Sequence, residues 1–102
     1  MNNMICLVGR LTNEPMKEKL DEEKNAIMIN VAVTRSFKND CGVYENDFIP
    51  VVLWESRANS VCEYCHKGDL VGIKGRLQMK EDKIQVIAEK VSFLTPARRD
   101  ED

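Results

Sequence analysis

Phe48 and Trp54 stand six residues apart in the segment Phe48 to Trp54 (FIPVVLW), where even and odd positions must point to opposite sides if the chain is extended. Ile49, Val51 and Leu53 form the all-aliphatic set and are the natural core face, so Phe48, Pro50, Val52 and Trp54 face outward. Two rings about 20 Å apart on one strand face are spaced for stacking on successive planar groups of an extended polymer. Phe37, near the start of the preceding turn, is a third ring of the same kind. The alternative use of such rings is packing against a partner subunit or a barrel end.

Cations accompany them. Lys74, Arg76 and Lys80 fall on the outward parity of a later alternating segment, and Arg35 and Lys38 lie near Phe37. A row of this kind can follow phosphates along a nucleic-acid strand, although outward charges more often form a solvated face. The run Cys62-Glu63-Tyr64-Cys65-His66 has the C-x-x-C-H spacing of a haem attachment site, but both thiols also fall on the apolar stripe of a helix. A zinc site would have to recruit the distant Cys41, and that is not a zinc-ribbon spacing. No metal or cofactor is therefore expected. His66 is the single histidine, and neither a Ser-His-Asp set nor a paired-carboxylate arrangement is visible, which argues against an enzyme. Gly68, Gly72 and Gly75 lack the ending of a phosphate loop and read as points of tight curvature.

The elements that would position these residues follow from the same alternation. Met4 to Thr12 is apolar-rich and stops at Asn13-Glu14-Pro15, giving a first strand. Met16 to Asn25 is mostly charged and suits a short edge strand and a loop. Ala26 to Phe37 alternates clearly, with Ile27, Ile29, Val31 and Val33 on one face. The turn formers from Lys38 to Gly42 then lead into Val43 to Trp54, so these two strands form an antiparallel hairpin. Ser56 suits a helix N-cap, Ala58, Val61, Cys62 and Cys65 follow at amphipathic spacing, and Gly68 suits the stop. Asp69 to Lys80 alternates with Val71, Ile73, Leu77 and Met79 inward; Glu81-Asp82 turns into Lys83 to Leu94, whose parity is ambiguous around Ile87.

One short helix between strands three and four excludes a wound parallel sheet. The order predicts an all-β, five-stranded Greek-key barrel of the OB-fold type, its helix plugging one end with Ala58, Val61, Cys62 and Cys65. A chain of 102 residues leaves room for one domain, expected over residues 1–96, with 97–102 as a short, disordered charged tail. Net charge is −2, but the segments 14–24 and 96–102 hold eight acids and five bases, leaving ten bases and nine acids on the scaffold. There is no apolar run of membrane-spanning length and no secretory signal at the N-terminus, so a cytoplasmic protein with reduced thiols is expected.

Met4 to Pro15 (MICLVGRLTNEP), Val31 to Lys38 (VAVTRSFK), Asp47 to Trp54 (DFIPVVLW), Lys67 to Leu77 (KGDLVGIKGRL) and Val91 to Leu94 (VSFL) closely resemble, in order, the bacterial-type single-stranded DNA-binding protein family. The resemblance implies an OB-fold subunit that wraps single-stranded DNA without sequence preference in replication, recombination or repair, associated with the nucleoid. It implies a homotetramer, with a dimer as the alternative, and base stacking by the residues at Phe37, Phe48 and Trp54. The phosphate contacts Arg35, Lys38, Lys74, Arg76 and Lys80 rest on strand parity rather than on the motifs. The chain departs from the family in three ways. The turn at Lys80-Glu81-Asp82-Lys83 is short, the last residues lack the family's apolar-acidic partner-recruiting tip, and phenylalanine replaces tryptophan at two ring positions. Recruitment of replication and repair proteins is accordingly left open. Two other readings remain: a replication-restart accessory protein of the same fold, and an OB-like interaction module that uses Phe48 and Trp54 against protein.

Overall fold

A computed structural model describes residues 1–15 and 26–95. Five strands and one helix follow in the order β1 (Ile5–Leu11), β2 (Ala26–Lys38), β3 (Tyr44–Trp54), α1 (Glu55–Tyr64), β4 (Leu70–Lys80) and β5 (Lys83–Phe93). The strands close into a barrel in the order β1-β2-β3-β5-β4, antiparallel at every seam except β3–β5, which is parallel. This is the five-stranded barrel expected from the alternation. The edge strand and loop expected over 16–25, and the charged tail, lie outside the described residues.

The core follows from strand parity. Ile27, Ile29, Val31, Val51, Leu53, Val61 and Val71 are the largest fully buried side chains, so the odd positions of β2, β3 and β4 meet inside the barrel. Each such aliphatic contributes about 1.5–3 kcal/mol by leaving water. From α1, Ala58, Val61 and the following Cys65 join this cluster, with Cys62 packed beside them, so the helix does plug one end. Its start differs from expectation: Trp54 holds the N-cap position in extended geometry without a side-chain cap bond, and Ser56 lies inside the helix. The helix ends at Tyr64, and Gly68 instead supplies a left-handed residue (φ 89°) in the turn before β4.

Two glycines permit closure. A Cβ on Gly75 would lie 2.0 Å from the Ile87 carbonyl oxygen, and one on Gly9 would lie 2.4 Å from that of Ala32, so backbones approach where a side chain cannot fit. Leu77 and Met79, expected inward, are instead exposed. They keep the inward parity of Val71 and Ile73, but β4 and β5 run past the barrel there and no strand stands opposite. Their hairpin closes at Glu81 and Asp82, both left-handed (φ 49° and 68°), between the paired Lys80 and Lys83. The ambiguous parity of β5 also resolves. Lys74 pairs with Lys90 but Gly75 with Ala88, so Glu89 is an extra, bulged residue, and Val86 and Ala88 face the core while Ile87 faces out.

Candidate nucleic-acid interface

The outward face of β3 carries Tyr44, Asn46, Phe48, Pro50, Val52 and Trp54. Opposite them on β2 stand Lys38, Thr34, Ala32, Asn30, Met28 and Ala26. Phe48 is 66% exposed and Tyr44 52%, while Trp54 is half-buried against a small outer cluster of Ala26, Val52 and Ile87. That cluster anchors the indole at the barrel while the two smaller rings stand free toward the hairpin tip. Tyr44 extends the aromatic line and was not singled out from the sequence, although its even number puts it in register with Phe48 and Trp54. Lys38 lies on the same face, its Nζ 5.7 Å from the centre of the Tyr44 ring, a cation–π distance. Phe37 is exposed and sits in the irregular stretch of β2 between Thr34 and Lys38.

Two concavities line the β3–β5 seam. One, of about 360 Å³, is bounded by Trp54, Arg57, Arg76, Gln78, Ile87, Ala88 and Glu89. The other, of about 320 Å³, is bounded by Met28, Pro50, Val52, Lys80, Glu81, Lys83, Ile84 and Gln85. The two lie side by side as a groove, since Val52 of one pairs with Ile87 of the other, and its lining carries Arg57, Arg76, Lys80 and Lys83 together with Glu81 and Glu89. Arg76 and Lys80 reach it, as strand parity expects. Arg57 and Lys83 also reach it and escaped the sequence reading. Arg57 lies on a helix read only for its apolar stripe, and Lys83 is placed by the two-residue turn that pairs it with Lys80. Among the described residues neither Lys80 nor Lys83 forms an ion pair.

Lys74 and Arg35 are not brought to this groove. Lys74 stands between Cys6 of β1 and Lys90 of β5, beyond the bulge. Arg35 donates from Nε and Nη2 to the Asp47 carboxylate (3.1 and 2.9 Å) and from Nη1 to Glu45 (2.9 Å). Asp47 and Glu45 share the parity of Ile49 and Val51, so this clamp lies on the side of β3 away from Phe48. Hydrogen bonding to Arg35, and then its charge, lowers the Asp47 pKa from 3.8; the same bonds raise the Arg35 pKa further.

The C-x-x-C-H run serves the fold. Cys65 is buried and its thiol is pushed up to about 11, chiefly by desolvation, so it is protonated at neutral pH and a poor nucleophile or ligand. The His66 ring lies 3.1 Å from Glu14, whose carboxylate also accepts the Lys67 N–H at 2.6 Å. Among the described residues no group of three or more His, Cys, Asp or Glu could hold a metal, and no helix is long and apolar enough to cross a membrane.

Residues 2–94 match the model of the single-strand binding protein family. Single-stranded DNA-binding protein B of Bacillus subtilis (strain 168) is 36% identical over 98% of this chain and 96% of its own length. A single-stranded DNA-binding protein of Bacillus cereus is 38% identical over 94% of this chain, which spans only 62% of that relative. A deletion mutant of the single-stranded DNA binding protein from Thermus aquaticus has the same fold, with a TM-score of 0.69 at 24% identity; the match covers 91% of this chain and 50% of that one. The chain belongs to the single-strand binding protein family.

Proposed function

We propose that this member of the single-strand binding family binds single-stranded DNA without sequence preference, with no catalytic step, and serves replication, recombination or repair in the cytoplasm. The observation that carries this reading is the coincidence, on one outer face, of Tyr44, Phe48 and Trp54 with a groove to which Arg57, Arg76, Lys80 and Lys83 contribute four cations against the two acids Glu81 and Glu89. Bases stack on the rings, and phosphates meet the cations. Each stacked base is worth about 1–3 kcal/mol and demands no particular base, because every base has a π-face.

Trp54 is the fixed platform, and Phe48, Tyr44 and Phe37 are adaptable ones nearer the hairpin tip. Lys38, Lys80 and Lys83 are point charges that follow the backbone. The chain acts as a homotetramer, or as a dimer in the alternative arrangement. The exposed Leu77 and Met79, on the side of β4 away from Arg76 and Gln78, support self-association. Sedimentation of the wild type and of Leu77→Ser/Met79→Ser tests it, with dissociation of the double variant as the expected result.

Fluorescence anisotropy of labelled oligo-dT, competed with unlabelled single strands of mixed sequence and with duplex, tests the binding. Competition by every single strand and little by duplex is expected. Equal competition by duplex would mean that the cations act without the rings. Absence of binding would favour the alternative in which Phe48 and Trp54 face a protein partner.

A further inference from the structure

The concavity beside Trp54 holds two arginines and one acid, and the acid holds both arginines. Glu89 accepts a hydrogen bond from Arg57 Nε at its backbone carbonyl, and its carboxylate lies 3.4 Å from Arg76 Nη1. Arg76 is fixed from its other side by Gln78, whose Oε1 accepts from Nη2 at 3.0 Å. Glu89 is the bulged residue of β5 and keeps the outward parity of Ile87, whose partner on β4 is Arg76. The carboxylate and the Arg76 side chain are both about half exposed, at 48% and 40%, and line the same concavity as Trp54. Among the described residues, the terminal nitrogens of Arg57 have no partner.

Resting on the reading of the groove as a single-strand site, we infer that Arg57, Arg76 and Glu89 form a phosphate-exchange site. A phosphate of the strand leaving Trp54 displaces the Glu89 carboxylate from Arg76 and is held by the Arg57 and Arg76 guanidiniums. Both anions are planar or tetrahedral oxygen acceptors of a kind that suits a guanidinium fork, so one can replace the other without moving Arg76. Gln78 and the Glu89 carbonyl keep the two forks in place during the exchange. The carboxylate is thus a built-in competitor. It lowers affinity for any strand and leaves Arg76 neutralised when the groove is empty.

The exchange predicts opposite effects from neighbouring residues. Glu89→Gln keeps the shape and the backbone bond to Arg57 but removes the competitor. Affinity for oligo-dT should rise about twofold to fivefold, the scale of one exposed ion pair. Arg57→Ala should weaken binding about threefold and reduce the salt slope by about 0.7, the share of one single-strand phosphate. Two comparisons separate exchange from a general charge effect. Glu63→Gln removes the same charge from the far end of α1 and should change affinity less than Glu89→Gln. In an Arg76→Ala background the gain from Glu89→Gln should vanish, because nothing remains to release. The measurement is anisotropy of labelled oligo-dT with the full chain at several salt concentrations. Equal gains from Glu63→Gln and Glu89→Gln, or a gain that survives Arg76→Ala, would overturn the exchange while leaving the groove intact. Failure of the wild type to bind oligo-dT would overturn both.

Discussion

The β2–β3 and β4–β5 hairpins flank the groove and present different chemistry to it. Toward its tip the β2–β3 arm exposes Phe37, Tyr44 and Phe48, and its arginine, Arg35, is held by Asp47 and Glu45 on the opposite side. The β4–β5 arm has no ring near its tip, and Lys80 and Lys83 stand beside the groove without ion pairs among the described residues. On the proposed reading, a polymer with flat bases on one edge and charged phosphates on the other would meet a ring-bearing arm and a charge-bearing arm. The contrast also shows why counting basic residues on a strand overstates a binding site: Arg35 and Arg76 have the same charge, yet only one of them faces the groove.

Substitutions can break this division. Trp54→Ala removes the platform at the root of both arms and should weaken oligo-dT binding by about 1–3 kcal/mol, with Phe48→Ala at the lower end of that range, measured by anisotropy. The salt slope of each should stay near that of the wild type. The double variant Lys80→Ala/Lys83→Ala should do the reverse, flattening the slope by about 1.4 with a smaller loss of affinity at high salt. If the ring variants flatten the slope, or the lysine variants do not, the two arms do not divide the work.

Arg35→Ala sharpens the comparison from the other side, since it should leave the salt slope unchanged and alter only the arm. The Asp47 carboxyl is held below 3.8 by Arg35, so its contribution is present above the unfolded pKa and lost as pH falls through the lower folded value. Carboxyl titration by NMR should place Asp47 below the free carboxylate range in the wild type and return it there in Arg35→Ala. The smallest effect concerns the charged arm's turn. Glu81→Asn/Asp82→Gly puts residues that accept positive φ at both left-handed positions and should stabilise the protein by about 0.5–1 kcal/mol in thermal unfolding.

Much of this was legible in the chain because alternation is a local signal. The parity of Ile49, Val51 and Leu53 gave the core face of β3 and so put Phe48 and Trp54 outside, and the helical spacing of Ala58, Val61 and Cys65 gave the plug. What escaped depends on contacts between strands. Arg35 is the exception: it reads as a phosphate contact from its place near the hairpin end, yet its odd number puts it with Val31 and Val33 on the side of β2 where Asp47 and Glu45 hold it. Leu77 and Met79 read as core because parity does not say where a strand leaves the barrel. The bulge at Glu89 explains the uncertain parity near Ile87, and no residue type marks it in advance. Arg57 is not legible in the sequence because its helix shows its apolar side in the pattern and its position over β5 only in three dimensions.

Trp54 and the cations around it are proposed to form one strand-binding groove. Titration of the fluorescence of Trp54, the single tryptophan, with oligo-dT of increasing length at several salt concentrations tests it most directly. Saturable quenching that weakens with salt at a slope of about −0.7 per phosphate contacted is expected, with a plateau once the oligonucleotide spans the groove. Binding seen by anisotropy without any change in Trp54 emission, or no binding at low salt, would contradict it.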